Sequence, residues 1–503
     1  MEVRHEIPTR FKVEIDRELC RHCKRCTVNC SFGVLTHNGE RIVAEHDKCV
    51  ACHRCVMMCP QQAISIKPHD IMFAPHATYS ERIRRIIYEQ SSSGGVLLSG
   101  CGTDMHPNVI FDDLFMDACQ VTNPAIDPLR EPVETKTFIG RKPDRLSIKD
   151  ENGKIVLQKD PYPKVELSTP IVVGHMSLGA ISYNAVRSIF QAAQEVGIMA
   201  GTGEGGLHKD FYQFGKFINA EIASGRFGIN PTYLKGVAAL EIKIGQGAKP
   251  GHGGHLPGEK VDAMIAATRM MPEGTDALSP YPQHDIYSIE DLRQLIGALK
   301  EASRYKVPVG VKIAAVHNSA AIAVGMARGG ADFITLDGLR AGTGATPRII
   351  RDHAGIPIEL AIAAVDQRLR EEGIRNQVSI IAGGGIRYAA DMVKAILLGA
   401  DAVCLGTSIL IAMGCRVCQQ CHRGVCPWGI ATQQPHLVQR LDVDITTRRL
   451  VNLFHAWTEE LKEILGAMGI DAVESMVGNR DRLRYIGPNP RIADLLGVKH
   501  AGE

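Results

Sequence analysis

The sequence shows little charge imbalance, no long apolar run and no apolar leader, and each absence narrows its class. Its 57 basic residues against 55 acidic ones leave a formal charge of +2, so nothing draws the chain to nucleic acid or an anionic membrane surface. No stretch of about 18 apolar residues occurs, which excludes a hydrophobic span. The opening MEVRHEIPTR lacks the apolar segment of a secretory leader, and a cytoplasmic protein is expected. No G-x-G-x-x-G follows a strand-like run, so the chain is not expected to bind a dinucleotide itself; GTGEGG at 201–206 reads as a loop. What the chain has in quantity is cysteine and glycine, 15 and 50 among 503 residues. Apolar residues make up 45% and charged residues 22%, an ordinary globular balance with length for about two to four domains. Fifteen cysteines without a leader do not form a secreted disulfide framework, so their spacing must say what they do.

Twelve of the fifteen fall into three groups. Cys20, Cys23, Cys26 and Cys30 form the first; Cys49, Cys52, Cys55 and Cys59, followed by Pro60, form the second. Both read C-x2-C-x2-C-x3-C. Three thiolates at that spacing close around one face of a 4Fe-4S cube, and the fourth lies too far round and ligates the other cluster. This crossing assigns Cys20, Cys23, Cys26 and Cys59 to one cluster, and Cys49, Cys52, Cys55 and Cys30 to the other. Zinc favours paired C-x2-C knuckles with four ligands per site, and two complete runs within about 40 residues suit it poorly. KVEIDRELC and RIVAEHDKC each put a strand before a run, and QQAISIKP supplies one after the second. Residues 1–70 therefore resemble a ferredoxin domain with two 4Fe-4S clusters, departing only at Ser31, where a proline is usual. The third group, Cys415, Cys418, Cys421 and Cys426 in GCRVCQQCHRGVCPWGIATQ, lies far along the chain and is expected to hold a separate cluster. Cys404, in the apolar run DAVCLG, is expected to be a buried strand residue. Cys101 and Cys119 carry no assigned role.

After a Pro- and Gly-punctuated connection at 71–165, short apolar runs alternate with helical patterns. The strand candidates are PIVVG (170–174), VGIMAG (196–201), ALEIKIG (239–245), TDALSP (275–280), VPVGVKIA (307–314), ADFITLDG (331–338), VSIIAGGG (378–385) and ADAVCLG (400–406). Helical text such as SIEDLRQLIGALKEASR at 288–304 separates them. Runs apolar on both faces suit a parallel sheet, and eight of them over about 240 residues predict a (β/α)8 barrel, an α/β fold spanning 166–435 with the cluster loop at its end. Glycines collect at the strand ends, where such barrels place their chemistry. AGGGI and LGT follow the last two strands, the usual phosphate site of the fold, so Gly383, Gly384, Gly385, Gly406 and Thr407 are read as the cradle of a phosphorylated cofactor. Clusters pass single electrons and a flavin converts them to hydride chemistry. FMN fits; pyridoxal phosphate would leave the clusters nothing to do. Residues 436–503 include an amphipathic helix at 444–468 with Leu450, Leu453, Phe454, Trp457, Leu461, Ile464 and Leu465 on one face, read as packing on the barrel, with a homo-oligomer interface as the alternative.

Residues 120–475 resemble the FMN-binding synthase domain of the glutamate synthase large subunit. The matching segments are NPAIDPLREPVETKTFIGRKP, HMSLGAISYNA, TGEGG, GQGAKPGHGGHLPGEKV, SPYPQHDIYSIEDL, GTGATP and GCRVCQQCHRGVCPWGIATQ. With the ferredoxin segment in front, the whole chain resembles the archaeal-type glutamate synthase family. The resemblance implies condensation of 2-oxoglutarate with ammonia to 2-iminoglutarate, reduced by hydride from FMN to glutamate. By position it gives Lys249 and Arg269 as substrate-binding cations and Glu204 as the active-site glutamate. It gives Lys312 as the cation stabilising reduced flavin, and Met176, Ser177 and Gly179 as the loop along the flavin. Nothing near Met1 offers the N-terminal cysteine of a fused glutaminase. Ammonia is therefore expected from solution or a separate glutaminase chain, and electrons from an NAD(P)H-oxidising subunit or ferredoxin.

Three departures from the family pattern fall at the substrate end. His255 stands where the family has a substrate-associated glutamine, SPYPQHD replaces a PPPHHD-like stretch, and DGLRAGTG replaces a loop of the SG-x-D-G-G-T-G kind, placing Arg340 where a different acid would bind. They leave open a glutamate-synthase-like enzyme with another substrate, such as an N-methylglutamate synthase, beside the third reading of a flavin and iron–sulfur electron-transfer subunit. Cys415, Cys421 and Cys426 reproduce the family's 3Fe-4S spacing. Cys418 is an addition whose thiolate would complete a 4Fe-4S cube, the type favoured here.

Overall fold

The computed structural model describes residues 9–69, 75–103, 105, 108–119, 124–143, 147–157 and 162–502. The opening residues 1–8, on which the leader expectation rested, and the 70/71 boundary lie outside the described residues. Eight parallel strands close into a barrel: β1 Ile171–Val173, β2 Met199–Gly201, β3 Ile218–Ile222, β4 Ala239–Lys243, β5 Val309–Ala314, β6 Phe333–Asp337, β7 Ser379–Gly383 and β8 Ala402–Leu405, with β8 returning to pair with β1. Their residues are almost all buried, as strands covered by helices outside and side chains inside require.

One predicted strand is wrong and one was missed. TDALSP contributes only Ala277–Leu278, which pairs antiparallel with His255–Leu256 in a short hairpin beyond the barrel. The missing strand is β3, INAEI, passed over because Asn219 and Glu221 make it read as polar. Both are buried, so their polarity faces inward rather than to solvent. The correction moves GQGAKPGHGGHLPG to the end of β4.

The N-terminal end of the barrel is closed by a hairpin in which Thr137–Gly140 pairs with Lys164–Leu167. Its Ile139 and Leu167 pack on Val172, Met199, Phe333 and Ile381, so this end is a filled apolar plug and the polar residues are left to the other end. On the outside, helix Val443–Met468 starts at Asp442, whose carboxylate accepts from Ile445 N–H at 2.9 Å. It buries Leu450, Phe454, Trp457, Leu461 and Leu465 and lies along helix Tyr183–Val196. No helix among the described residues is long and apolar enough to cross a membrane.

At the N-terminus, strands Phe11–Ile15 and Ile64–Pro68 pair antiparallel, as do Leu35–His37 and Ile42–Ala44, with short helices Arg25–Asn29 and Arg54–Met57 between them. Val13, Phe32, Leu35, Ile42 and Ile64 form a separate small core that includes cysteines 26, 52 and 55. Cys418 and Val425 of the third cysteine loop pack against this core, which seats the small unit on the barrel end that carries the loop.

Arg375 ties β7 and β8 to the surrounding helices: its guanidinium donates to Asp366 at 2.7 Å, Asp401 at 2.8 Å and the Gly399 carbonyl at 2.8 Å. Arg375→Ala leaves buried carboxylates short of their cation and should destabilise the barrel by about 3–5 kcal/mol in urea unfolding. A loss below about 1 kcal/mol would show that the network does not hold these strands.

Candidate functional site

The C-terminal ends of the strands surround a cavity with about 1400 Å³ of empty space, its open mouth included. Its floor is charged. Glu221 of β3 and Glu241 of β4 sit side by side in register, with Lys243 two residues further along β4 and Lys312 beside it on β5. Glu241 accepts from Asn219 at 2.8 Å and Thr335 at 2.9 Å. Burial pushes its carboxyl up, but His175, Lys312 and Asn219 more than offset this and hold it at about 2. Lys312 stands 3.7 Å from Glu221 and 4.0 Å from Asp337. Burial pulls its ammonium down, and Glu221, Asp337 and Glu241 outweigh that, so it stays charged.

His175, just after β1, joins this floor. Gly203 N–H donates to its Nδ1 at 3.1 Å, which leaves Nε2 to face Glu241 at 3.1 Å. The close approach needs Gly201, where a Cβ would enter the imidazole ring. His175, Glu221 and Glu241 converge as metal ligands would. Lys243 and Lys312, each 3.7 Å from Glu221, already supply the positive charge, so the triad reads as part of a balanced ion network.

Above the floor lie the residues singled out for substrate. Glu204 accepts from Lys243 at 3.1 Å and from the Ser279 hydroxyl at 3.0 Å. Burial raises its carboxyl, and Lys243 overcomes this with help from Lys249, leaving it below the ordinary carboxylate value. Gly254 makes room for it, since a Cβ there would collide with the carboxylate. Lys249 is buried and faces the same cavity, donating to the Ala345 carbonyl at 3.0 Å. Burial, then Lys243, lower its ammonium to about 8, against a smaller opposing pull from Glu204. Arg269, also buried, donates to Ser177 Oγ at 3.1 Å and the Leu178 carbonyl at 3.2 Å, and its Nε has no hydrogen-bond partner among the described residues. His255 sits at the rim of the mouth, half exposed and 3.1 Å from Asp276. Arg340 does not enter the cavity. Both Glu359 carboxylate oxygens accept from it at 2.7 Å, and Glu359 is fully buried, so the guanidinium is neutralised inside the fold. The expectation that Arg340 meets an acid substrate is therefore corrected.

Met176, Ser177, Gly384, Gly385, Gly406 and Thr407 also line the cavity. Gly384 and Gly385 have φ of 118° and 85°, and a Cβ on Gly384 would press into the Gly338 backbone. Gly383 and Gly179 do not line it: Gly383 ends β7 against Cys404, and Gly179 makes room for Leu256. Cys404 is on β8 as expected, but its side chain faces the cavity, and burial pushes its thiol up to about 12.

The cysteine groups come together as their spacing suggests. A small cavity is lined by Cys20, Cys23, Cys26 and Cys59. Cys49, Cys52 and Cys55 lie close enough to Cys30 for their charges to interact. Val34 N–H donates to Cys30 Sγ and Ala63 N–H to Cys59 Sγ, each at 3.3 Å, a matching pair across the two runs. Cys52 also interacts with Cys426 of the third loop. Trp428 Nε1 donates to the Cys52 carbonyl at 3.1 Å, and Arg440 bridges the Asn29 and Pro427 carbonyls at 3.2 Å each, so the second group and the third loop are held face to face. Cys421, in turn, lines the large cavity.

Sequence reasoning missed His175, Asn219, Glu221, Glu241, Lys243 and Asp337. The available signal was polar residues at alternate positions of otherwise apolar strands, INAEI and ALEIK, which a buried strand tolerates only when they pair inside the barrel. It also missed Cys101, which lies against Cys421 and has no motif spacing to announce it.

Comparison with known proteins adds the following. A conserved region of glutamate synthase matches residues 106–471, and 4Fe-4S binding domains match 12–35 and 42–65. The chain is 55% identical to an archaeal glutamate synthase (NADPH) of Archaeoglobus fulgidus over 99% of this chain and 98% of that one. It is 56% identical to the corresponding protein of Methanocaldococcus jannaschii, over 99% of both. The glutamate synthase (NADPH) large chain of Azospirillum brasilense is 38% identical over 67% of this chain and 23% of its own.

Proposed function

The chain belongs to the glutamate synthase family, and we propose the residue roles through which it makes L-glutamate by reductive amination of 2-oxoglutarate with ammonia. The observation that carries this reading is that Lys249 and Arg269, two buried cations with no carboxylate in ion-pair contact among the described residues, face one cavity together with the Lys243–Glu204 pair. A buried cation without a counter-charge calls for an anion from outside, and 2-oxoglutarate brings two carboxylates.

The cavity fits FMN. Gly384, Gly385, Gly406 and Thr407 would offer backbone and hydroxyl donors for its phosphate, Met176 and Ser177 would hold the ring, and the charged Lys312 would suit an anionic reduced isoalloxazine. When bound and reduced, FMN supplies the hydride, and the clusters supply its electrons singly. Arg269 holds one carboxylate of the oxo acid, and charged Lys249 holds the other. Condensation expels the carbonyl oxygen as water, so protons must leave nitrogen and reach oxygen. Glu204, kept ionised by Lys243, takes the proton from the attacking nitrogen and passes it to the carbonyl oxygen, which becomes the hydroxyl. Lys249, whose proton is loosened by burial, gives one to the departing hydroxyl, leaving 2-iminoglutarate. His255 acts at the rim, where it and the hairpin it begins narrow the mouth. With Arg340 captured by Glu359, that loop no longer favours a different acid substrate.

Cys20, Cys23, Cys26 and Cys59, the group with an exposed member in Cys23, would hold the cluster through which electrons enter. Cys30, Cys49, Cys52 and Cys55 would hold the next, and Cys415, Cys418, Cys421 and Cys426 the third, at the cavity wall. A separate glutaminase chain and an NAD(P)H-oxidising subunit or ferredoxin complete the supply. The third cluster is 4Fe-4S. In the first run His22 and Lys24 have positive φ (54° and 60°), in the second Ala51 and His53 (51° and 57°), and in the third loop Val417 and Gln419 (51° and 59°), the same two positions of C-x2-C-x2-C each time. Val417 N–H donates to Cys415 Sγ at 3.3 Å, as the Ala51 backbone does to Cys49. Three arcs of one shape present their first three thiols alike, so Cys418 ligates as Cys23 and Cys52 do.

Two outcomes are expected. Lysine charge is complete below its ionisation and lost above it, so kcat/KM for 2-oxoglutarate falls as pH rises through about 8. Lys249→Arg should remove that limb, and Lys249→Met should lower kcat/KM about 100-fold, the worth of a charge-assisted contact. An unchanged limb in both variants would remove Lys249 from the site. Independently, oxidised wild-type protein should lack a 3Fe-4S EPR signal, and Cys418→Ala should create one; a full-occupancy signal in wild type would contradict the four-ligand assignment.

A further inference from the structure

Cys101 lies outside the three groups and touches the third of them. It is 1% exposed, its Sγ lies 3.7 Å from Cys421 Sγ, and it is in side-chain contact with Cys415 as well. Two thiolates bound to different corners of a cluster stand well apart, so a sulfur in van der Waals contact with Cys421 does not occupy a corner of its own. It sits behind the ligand sulfurs. The position is built rather than incidental. Gly100 N–H donates to the Gln419 carbonyl and Cys101 N–H to the Thr343 carbonyl, both at 2.8 Å, while the Gln419 side chain donates to the Gly102 carbonyl at 2.9 Å. Arg351 donates to the Gly100 carbonyl at 3.3 Å. Cys101 itself is held at a φ of 54°, rarely adopted by a residue with a Cβ, and a Cβ at Gly100 would lie 2.7 Å from that of Cys421. Residues 99–102 are therefore clamped against the third loop on the side where Cys101 and Cys421 both line the large cavity.

Resting on the reading that Cys415, Cys418, Cys421 and Cys426 hold a 4Fe-4S cluster, we propose that Cys101 is a positioning thiol whose S–H donates to the ligand sulfurs of Cys415 and Cys421 and raises the potential of that cluster beside the flavin cavity. Thiolate sulfur carries more negative charge in the reduced cluster, so a donor aimed at it favours reduction. A single electron arrives from the second ferredoxin cluster and leaves to the flavin, and no bond is made or broken at Cys101. The effect would be to make the last cluster before the cavity easier to reduce than it would be without the donor.

The test uses full-length protein purified anaerobically, with iron and sulfide analysis and an EPR-monitored potentiometric titration of wild type, Cys101→Ser and Cys101→Ala. In both variants iron and sulfide per chain should stay at the wild-type level. In Cys101→Ala one cluster should titrate at lower potential, its reduced-to-oxidised ratio at fixed ambient potential falling about fivefold, the worth of one hydrogen bond. Cys101→Ser retains an O–H donor and should fall between. Loss of one cluster's iron in either variant would make Cys101 a ligand and overturn the proposal, as would three unshifted potentials in Cys101→Ala. A wild-type chain with only two clusters would instead overturn the third-cluster reading on which the proposal rests.

Discussion

Charged side chains can share the inside of a barrel only when each meets its opposite, and this requirement governs the molecule. Glu221, Glu241 and Asp337 face Lys312 and Lys243, with the His175 ring beside Glu241 Oε1 and with Asn219 and Thr335 donating to Glu241 Oε2. Above this floor the charges are spaced to leave room for a ligand. Lys243 also pairs with Glu204 and keeps it ionised, while among the described residues Lys249 and Arg269 donate their side-chain hydrogen bonds to neutral groups and feel Glu204 at longer range. The site is thus a layer of close ion pairs under one whose cations are hydrogen-bonded to neutral groups, and the second explains anion binding.

The same end of the barrel receives the electron path. Trp428 and Arg440 fasten the small cysteine-rich unit to the third loop, and the loop's Cys421 reaches the cavity wall. Order along the path follows from contact: the run with exposed Cys23 is outermost, Cys52 meets Cys426, and Cys421 meets the cavity. The apolar plug of Ile139, Leu167 and Phe333 at the opposite end leaves the mouth as the route for substrate.

Much of this was legible in residue order. Cysteine spacing depends on local backbone geometry, so the grouping of Cys59 with the first run and Cys30 with the second could be read directly. Glycine position marked the strand ends for a similar local reason. What could not be read depended on partners distant in sequence. INAEI looked unlike a strand because its Glu221 is compensated by lysines on β4 and β5, and Arg340 looked free because Glu359 is brought to it only by folding. TDALSP passed for a barrel strand on composition alone, although its partner is the His255 hairpin. Cys101 had no spacing to betray it, since its neighbours lie in a loop more than 300 residues away.

The central claim is that this cavity joins ammonia to an oxo diacid and reduces the product. Anaerobically reduced protein, mixed with 2-oxoglutarate with and without ammonium, tests it most directly, by following flavin absorbance and L-glutamate together. Reoxidation that requires both compounds and yields one glutamate for every two electrons lost from flavin and clusters together is the expected result. Reoxidation independent of ammonium, or none with both compounds present, would contradict the account.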